Sequence, residues 1–441
     1  MIPPAAGFLL LLAPSTSAAT LFQEGERLLA RVPTDRGLTS PWVRTADNPL
    51  PRDASPFVWG AGGRVVAYAA DLGAGGWAPV IVTADGETVG AGDEPYEFAS
   101  RPVVAGGRAF FHVARRASED TQTSWLWIDG KTFGPEDWMG ELAASPDGSR
   151  VAFWTQPGAI VGNSVRTSPA RQHLAVATEK GAGRWRVAHG DRWSAGSYLP
   201  PLFSTDGRAV FSSASKSGWR VFRGGTRREK ELSDKHPNIG AIAVSADGGE
   251  VAFAVVPDPS RPLASQLYFK GKRLAAEVDG LSALAVDARG RHVAYGAPLG
   301  AKRTVRVDDQ APGPARFSFL IELAFDPAGQ RLAFLANEGG RRDELAVEGG
   351  RFFVVERAVE DAQERKRHAD YTEVRNLVWS PDGTRLAYCA LDDDGWRLVC
   401  GDSASESHDE VGRPFFAADS GSVGYGSRDG DELWWRTLSL P

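Results

Sequence analysis

Residues 380–388 read "SPDGTRLAY". An apolar run ends at Trp379, Pro381-Asp382-Gly383 supplies the residues of a tight turn, and a second run begins with an aromatic residue at Tyr388. Proline presets the first corner, aspartate hydrogen-bonds its own backbone, and glycine accepts the left-handed corner, so the stretch predicts two antiparallel strands joined at a hairpin. A lone hairpin does not hold together in water, and the fold therefore depends on whether the pattern recurs.

It recurs along the chain. The same turn followed by an aromatic returns as "ASPDGSRVAF" (144–153), "FSTDGRAVF" (203–211), "VSADGGEVAF" (244–253), "VDARGRHVAY" (286–295), "FDPAGQRLAF" (325–334) and "FAADSGSVGY" (416–425), with shorter copies "GGRVVAY" and "GGRAFF" before them. The aromatic marks are Tyr68, Phe111, Phe153, Phe211, Phe253, Tyr295, Phe334, Tyr388 and Tyr425, and five of the eight spacings lie between 39 and 43 residues. A second strand-turn-strand element follows each mark, among them "SWLWIDGKTF" and "WRLVCGD". Each period thus supplies four short strands with apolar runs of strand length, and no stretch has sustained helical periodicity. Four strands in roughly 42 residues is the signature of one propeller blade, whose two faces must be covered by neighbouring blades. The expected fold is all-β: a single β-propeller of eight to nine four-stranded antiparallel blades. The last copy runs out at its third strand, "LWWRTLSL", and "ERLLARV" (26–32) has strand character without a blade, so an N-terminal strand is expected to complete that sheet.

The two longest periods point to insertions, which the sequence places at 157–183 and 357–371. With the repeat in view, "SPDGTRLAY" and "SPDGSRVAF" resemble the repeat of the TolB-type, WD-like bacterial β-propellers from about residue 50 onward. The resemblance implies an exported propeller that binds other proteins. The α/β domain that precedes the TolB propeller has no counterpart here, so the resemblance covers the propeller part alone.

The chain of 441 residues carries a net charge of −6, which gives no general attraction to nucleic acid or anionic lipid. The opening "MIPPAAGFLLLLAPSTSAAT" sets an apolar run ahead of small residues, with Ser17 and Ala19 at the spacing of a signal-peptidase site. It is read as a signal peptide over 1–19, followed by a propeller domain over 20–441 and a periplasmic or secreted location, although no Lys or Arg precedes the run; an ordinary apolar N-terminus is the other reading. The run is shorter than a membrane span requires.

Two cysteines exclude a multi-cysteine zinc site. In "AYCALDDDGWRLVC" a two-residue loop at Asp394-Gly395 sets Cys389 opposite Cys400, making them a disulfide candidate; two small apolar groups packed in a blade is the alternative. The histidines are scattered without metal-ligand spacing, Asp392, Asp393 and Asp394 sit in a hairpin turn, and neither a nucleophile elbow nor a phosphate-binding loop is present. No catalytic residue, metal or cofactor is assigned.

In the TolB-like repeat that the chain resembles, the strand before the turn is the innermost of its blade, so the resemblance implies that the position three residues before the residue that opens each turn faces the central channel. Copy by copy it holds Arg101, Glu141, Pro200, Ala241, Ala283, Glu322, Asn376 and Arg413. Arg101, Glu141, Glu322, Asn376 and Arg413 are therefore the candidate ligand-binding residues at the channel mouth, for an ionic or sugar-like ligand; charges paired across a water-filled channel is the plainer alternative. The expected function is an exported, monomeric module binding a protein or glycan partner. The alternative is a lyase or hydrolase acting on a polysaccharide or peptide at the mouth.

Overall fold

The computed structural model describes residues 25–32, 57–73, 76–90, 94–118, 121–156, 172–181, 183–194, 199–215, 218–224, 230–258, 260–261, 264–274, 278–310, 316–343, 346–361 and 363–441. These residues form nine antiparallel sheets arranged as the blades of one propeller. The first copy, a shortened match to the repeat, is a complete blade: Val58–Trp59, Val65–Asp71, Trp77–Thr83 and Gly86–Val89 pair in that order. Blade 8, which holds the opening stretch, runs Glu373–Trp379, Leu386–Asp392, Gly395–Cys400 and Ser403–Ala404.

The aromatic marks explain why the blades stack. All nine are buried, none more than 4% exposed. Each joins a hydrophobic cluster shared with the preceding blade: Phe111 packs with Val65 and Ala67 of blade 1, Tyr388 with Ala333 and Leu335 of blade 7, and Tyr68 with Leu433 of blade 9. The core is thus a set of interfaces between sheets, and no blade possesses one alone. The first strands of successive blades touch one another round the ring, from Val58–Trp59 to Val103–Ala105, Ala143–Ala144 and Leu202–Phe203, and again from Ala241–Val244 to Leu284–Val286, Phe319–Phe325 and Glu373–Trp379. These strands therefore line the hub.

The turns interlock as well. In blade 8, Ser380 Oγ donates to Asp382 Oδ1 at 2.5 Å, the Thr384 amide donates to the same carboxylate at 2.9 Å, and the Arg385 amide donates to Ser380 Oγ at 2.9 Å. Gly383 takes the left-handed corner at φ 70°. Equivalent turns reach the next blade: Arg150 Nη1 donates to the Gly207 carbonyl at 2.7 Å, the Thr205 amide to Ala246 at 2.6 Å, and Ala246 in turn to Ala288 at 3.1 Å.

The ring closes as the sequence indicates. Arg27–Arg31 pairs antiparallel with Glu432–Ser439, Arg27 opposite Trp435 and Arg31 opposite Glu432, and serves as the outer strand of blade 9. Arg31 and Arg436 add ion pairs across this junction, to Glu432 at 2.6 Å and to Glu26 at 3.0 Å.

Two expectations need correction, the place of the second insertion and the turn of blade 8. The second supposed insertion, 357–371, holds the end of the ordinary third strand of blade 7, Arg351–Ala358, and its fourth strand, Glu364–Arg367; the extra length of the blade lies earlier, in a two-stranded hairpin, Arg341–Asp343 with Ala346–Glu348, between the second and third strands. Blade 6 has three paired strands among the described residues, Leu284–Val286, Val293–Leu299 and Lys302–Val307. In blade 8 the hairpin turns at Asp393-Asp394, not at Asp394-Gly395, because Asp392 pairs with Gly395. Cys389 consequently faces Leu398 and Cys400 faces Ala387. The two thiols stand diagonal to each other, a relation of about 7–8 Å between Cα atoms that is too long for a disulfide. Both are free and buried. The shift has a local cause: a Cβ on Gly395 would meet the His408 carbonyl oxygen at 2.8 Å, so glycine is required in the strand for that close approach and not in the turn. The first insertion lies mainly outside the described residues; its end, Gln172–Glu179, is the third strand of blade 3.

A candidate functional site at the hub

The five candidate mouth residues all lie on, or in the break within, the innermost strand of their blades. Arg101 falls between Phe98–Ala99 and Val103–Ala105, Glu141 between Trp138–Met139 and Ala143–Ala144, and Arg413 between Glu410–Val411 and Phe415–Phe416. Glu322 is in Phe319–Phe325 and Asn376 in Glu373–Trp379.

Two irregularities bring three of them together. The pairing of blade 7's inner strand shifts register between Leu320 and Glu322, and that of blade 8 shifts between Arg375 and Val378. Asn376 occupies the second shift in a left-handed conformation, φ 64°, which asparagine adopts more readily than most residues. Such a bulge leaves amides without cross-strand acceptors. The Leu377 amide donates to Glu322 Oε1 at 2.8 Å, and the Asn376 amide also contributes. Glu322 is 6% exposed, and burial pushes its carboxyl up to about 7, against the opposing pull of these amides and of Arg413. Its first role is therefore to hold the bulge of the next blade.

Cys389 joins the same group. Asn376 Nδ2 lies 3.8 Å from its sulfur, and the thiol donates to the Gly412 carbonyl at 3.2 Å, next to Arg413. Burial pushes this thiol up to about 11, so it is a packed neutral group rather than a nucleophile. Arg413 is half-buried; burial lowers its guanidinium, opposed by charge interactions with Glu322 and Cys389, with no hydrogen bond contributing.

Counting from the turn overlooks Arg375, which the bulge takes out of the simple repeat register together with Asn376. Arg375 Nη2 donates to the Val411 carbonyl at 3.1 Å and its guanidinium lies 3.8 Å from the centre of the Trp396 ring. It connects the group to Arg101. The Arg101 guanidinium is lowered by its dense surroundings first and by repulsion from Arg375 second, while Glu410 opposes the shift. Arg101 is nonetheless open to solvent by surface area, the condition of a group that faces water with protein on several sides. The only sequence signal for Arg375 was an asparagine inside a strand, "EVRNLVW", which marks a bulge.

Glu141 stands apart on blade 3, exposed, its carboxyl raised by partial desolvation. Pro200, Ala241 and Ala283 bring no charge to their blades. The hub is thus asymmetric, with charged groups on blades 7, 8, 9, 2 and 3 and none at this position on blades 4, 5 and 6.

Two pairs of neighbouring tryptophans lie in blades 2 and 9. Trp127 is buried edge-on against Phe111, with ring centres 5.4 Å apart, and Trp125 packs on the same cluster. Trp435 is buried, whereas Trp434 is half-buried with the Arg436 guanidinium 5.0 Å from its ring. Trp434 is therefore partly covered and offers no open aromatic platform.

Neither a protein-family profile nor a curated protein matches the sequence. Comparison with solved structures finds propellers. The Dos1 propeller matches over 96% of this chain and 97% of its own at 11% identity, with a TM-score of 0.43. The tricorn protease matches over 87% of this chain at 13% identity, with a TM-score of 0.36, and this chain spans 47% of its length. A protein assigned as TolB from Agrobacterium tumefaciens matches over 59% of this chain and 90% of its own at 13% identity, with a TM-score of 0.33. These likenesses concern the path of the chain and carry nothing about function; the sheets and their order establish the propeller by themselves. Among the described residues no helix is long and apolar enough to cross a membrane, and no three metal-binding side chains gather.

Proposed function

We propose that the protein is an exported binding module: residues 1–19 act as its export signal, residues 20–441 form the propeller, and a protein or glycan ligand is held at the hub by Arg101, Glu141, Glu322, Asn376 and Arg413. One observation carries this reading. The repeat imposes an apolar residue at every stacking position, yet at the hub position the residue type changes from copy to copy, with charged groups on blades 7, 8, 9, 2 and 3 and Pro200, Ala241 and Ala283 on blades 4, 5 and 6. Packing requires the first arrangement and is indifferent to the second, so the second is where recognition is built. Glu322 is engaged by backbone amides, which favours binding over acid-base chemistry at this site.

Peptide and glycan arrays probed with the wild-type protein and with an Arg101→Ala/Arg413→Ala variant test it. Ligands lost by the variant at an unchanged melting temperature support the hub as the binding site, and an identical binding profile overturns it. N-terminal sequencing of the protein recovered from the extracytoplasmic fraction tests export: a mature chain beginning at Thr20 is expected, and an intact Met1 there is not.

A further inference from the structure

Among the described residues, five of the linkers that lead from one blade into the next carry a ring at the same place. Tyr96, His236, Phe317, Tyr371 and His408 each form a single backbone bridge to the third strand of the blade they leave. Each then packs on the aromatic mark of the blade that follows. Ring centres are 5.0 Å apart for His236 and Phe253, 5.4 Å for Phe317 and Phe334, 6.1 Å for Tyr371 and Tyr388, and 5.9 Å for His408 and Tyr425, while Tyr96 shares a cluster with Phe111. Packing asks only for a ring here, and three of the five are tyrosine or phenylalanine. Histidine adds a proton site. We propose that His236 makes the seam between blades 4 and 5 an acid-sensitive joint, which loosens when its imidazole takes up a proton.

The two histidines are seated differently. His408 Nδ1 lies 2.9 Å from Asp429 Oδ1, so a carboxylate is in place to match a charge on that ring. His236 meets Tyr268 at 4.6 Å as well as Phe253, two rings that are stacked on each other, and among the described residues its imidazole has no hydrogen-bond partner. The titratable and charged groups around it are Asp234 and Lys235 on its own linker, Arg220 and Glu231 of blade 4, which pair at 3.7 Å, and Tyr268 and Arg273 of blade 5. Asp234 attracts a cation, but burial outweighs it and lowers the imidazole below its ordinary value. His236 is only half-buried, so a proton reaches it. Charging it sets a cation beside the apolar cluster that joins the two blades, in which Val210 and Val221 of blade 4 meet Ile239 and Phe253 of blade 5. In the opened joint the imidazole returns to its ordinary 6.5, so the closed seam keeps its full stability above that pH and loses it as pH falls further. The chain runs from His236 into the hub strand Ala241–Val244, and slack at the joint therefore reaches the hub, whatever the hub binds.

Hydrogen exchange of the full chain at about pH 7.5 and about pH 5.5, corrected for the intrinsic effect of pH on exchange, tests the joint in the wild type and in His236→Phe. Phenylalanine is the ring that blade 6 uses at this place, as Phe317. Amides of residues 236–255 are expected to exchange up to about tenfold faster at the acid pH in the wild type, the limit for a group whose open-state value is passed by one unit, and to show no such change in the variant. Blades 2 and 7, where buried His112 and Glu322 bring their own pH dependence, should respond alike in both proteins. Equal acid responses of residues 236–255 in the wild type and the variant, or no response in the wild type, overturn the proposal. An NMR titration of the histidine-labelled wild type, with the His236 signal assigned through His236→Gln, gives a second reading that does not need the phenylalanine variant to fold. A midpoint below 6.5 is expected, and a midpoint at or above 6.5, which would mean that the two rings hold the cation, overturns the joint.

Discussion

The indole of Trp59, on the inner strand of blade 1, lies directly over the backbone of Gly426 in the second strand of blade 9. A Cβ on Gly426 would come within 2.1 Å of the ring, and one on Gly412 within 2.4 Å. On the other side of the same seam a Cβ on Gly63 would come within 2.2 Å of Trp435. Where the first and last blades meet, two large aromatics are therefore seated on bare backbone, an approach that a side chain at these positions would block.

Gly426→Ala should accordingly weaken the protein through overpacking. The expected cost is about 1–3 kcal/mol, seen as a lower urea midpoint with an unchanged slope. Adding Trp59→Leu to the alanine variant should return part of it, and a double variant no better than the single one would locate the strain elsewhere.

Deleting residues 25–32 removes the strand that completes blade 9 and exposes the edge of Glu432–Ser439. Unpaired edges recruit other strands. The truncated protein should melt at a lower temperature and self-associate as its concentration rises in size-exclusion chromatography with light scattering. A monodisperse protein with the wild-type melting temperature would show that the clasp is dispensable.

Glu322 makes stability depend on pH in a definite direction. Its carboxyl has an ordinary value of 4.5 and is held at about 7 in the folded chain, so the folded state binds this proton more tightly than the unfolded one. The stability this confers is complete below 4.5 and is lost as pH rises through 7, amounting to at most about 3 kcal/mol. Glu322→Gln keeps an oxygen for the Leu377 amide but cannot ionise. In urea melts the variant should gain on the wild type between pH 4.5 and pH 8, and a constant difference across that range would contradict it.

The cysteines give a simple count. Burial and a thiol pushed up to about 11 should make both Cys389 and Cys400 unreactive to a thiol reagent in the native protein. On denaturation without reductant both should be alkylated, and a chain carrying fewer than two labels would mean that they are bonded.

What the sequence made legible is what stacking demands. An aromatic such as Phe153 or Tyr388 must be large and apolar whatever the protein does, and the Ser-x-Asp-Gly turn needs its glycine for one corner, so the ring and its N-terminal closure could be read from spacing. Register was harder, because glycine has more than one use. Gly395 read as a turn residue, but it sits in a strand where His408 comes too close for a side chain. The extra length of blade 7 was misplaced for a related reason: Glu364–Arg367 is charged and exposed and resembles a loop, as outer strands do. At the hub, counting from the turn found Glu322, Asn376 and Arg413, while the bulge at Asn376 added Arg375, which a fixed count passes over.

The clasp has a consequence for biogenesis. Blade 9 needs residues near both ends of the chain, so Tyr68, Val66 and Val82 lack the Leu433 side of their cluster until the carboxyl-terminal strand has been made. Closing a loop of about 400 residues carries an entropic cost that no earlier, local step avoids. The seam face of blade 1 thus stays uncovered throughout translation, and a nascent chain should become resistant to protease only after its final strand leaves the ribosome.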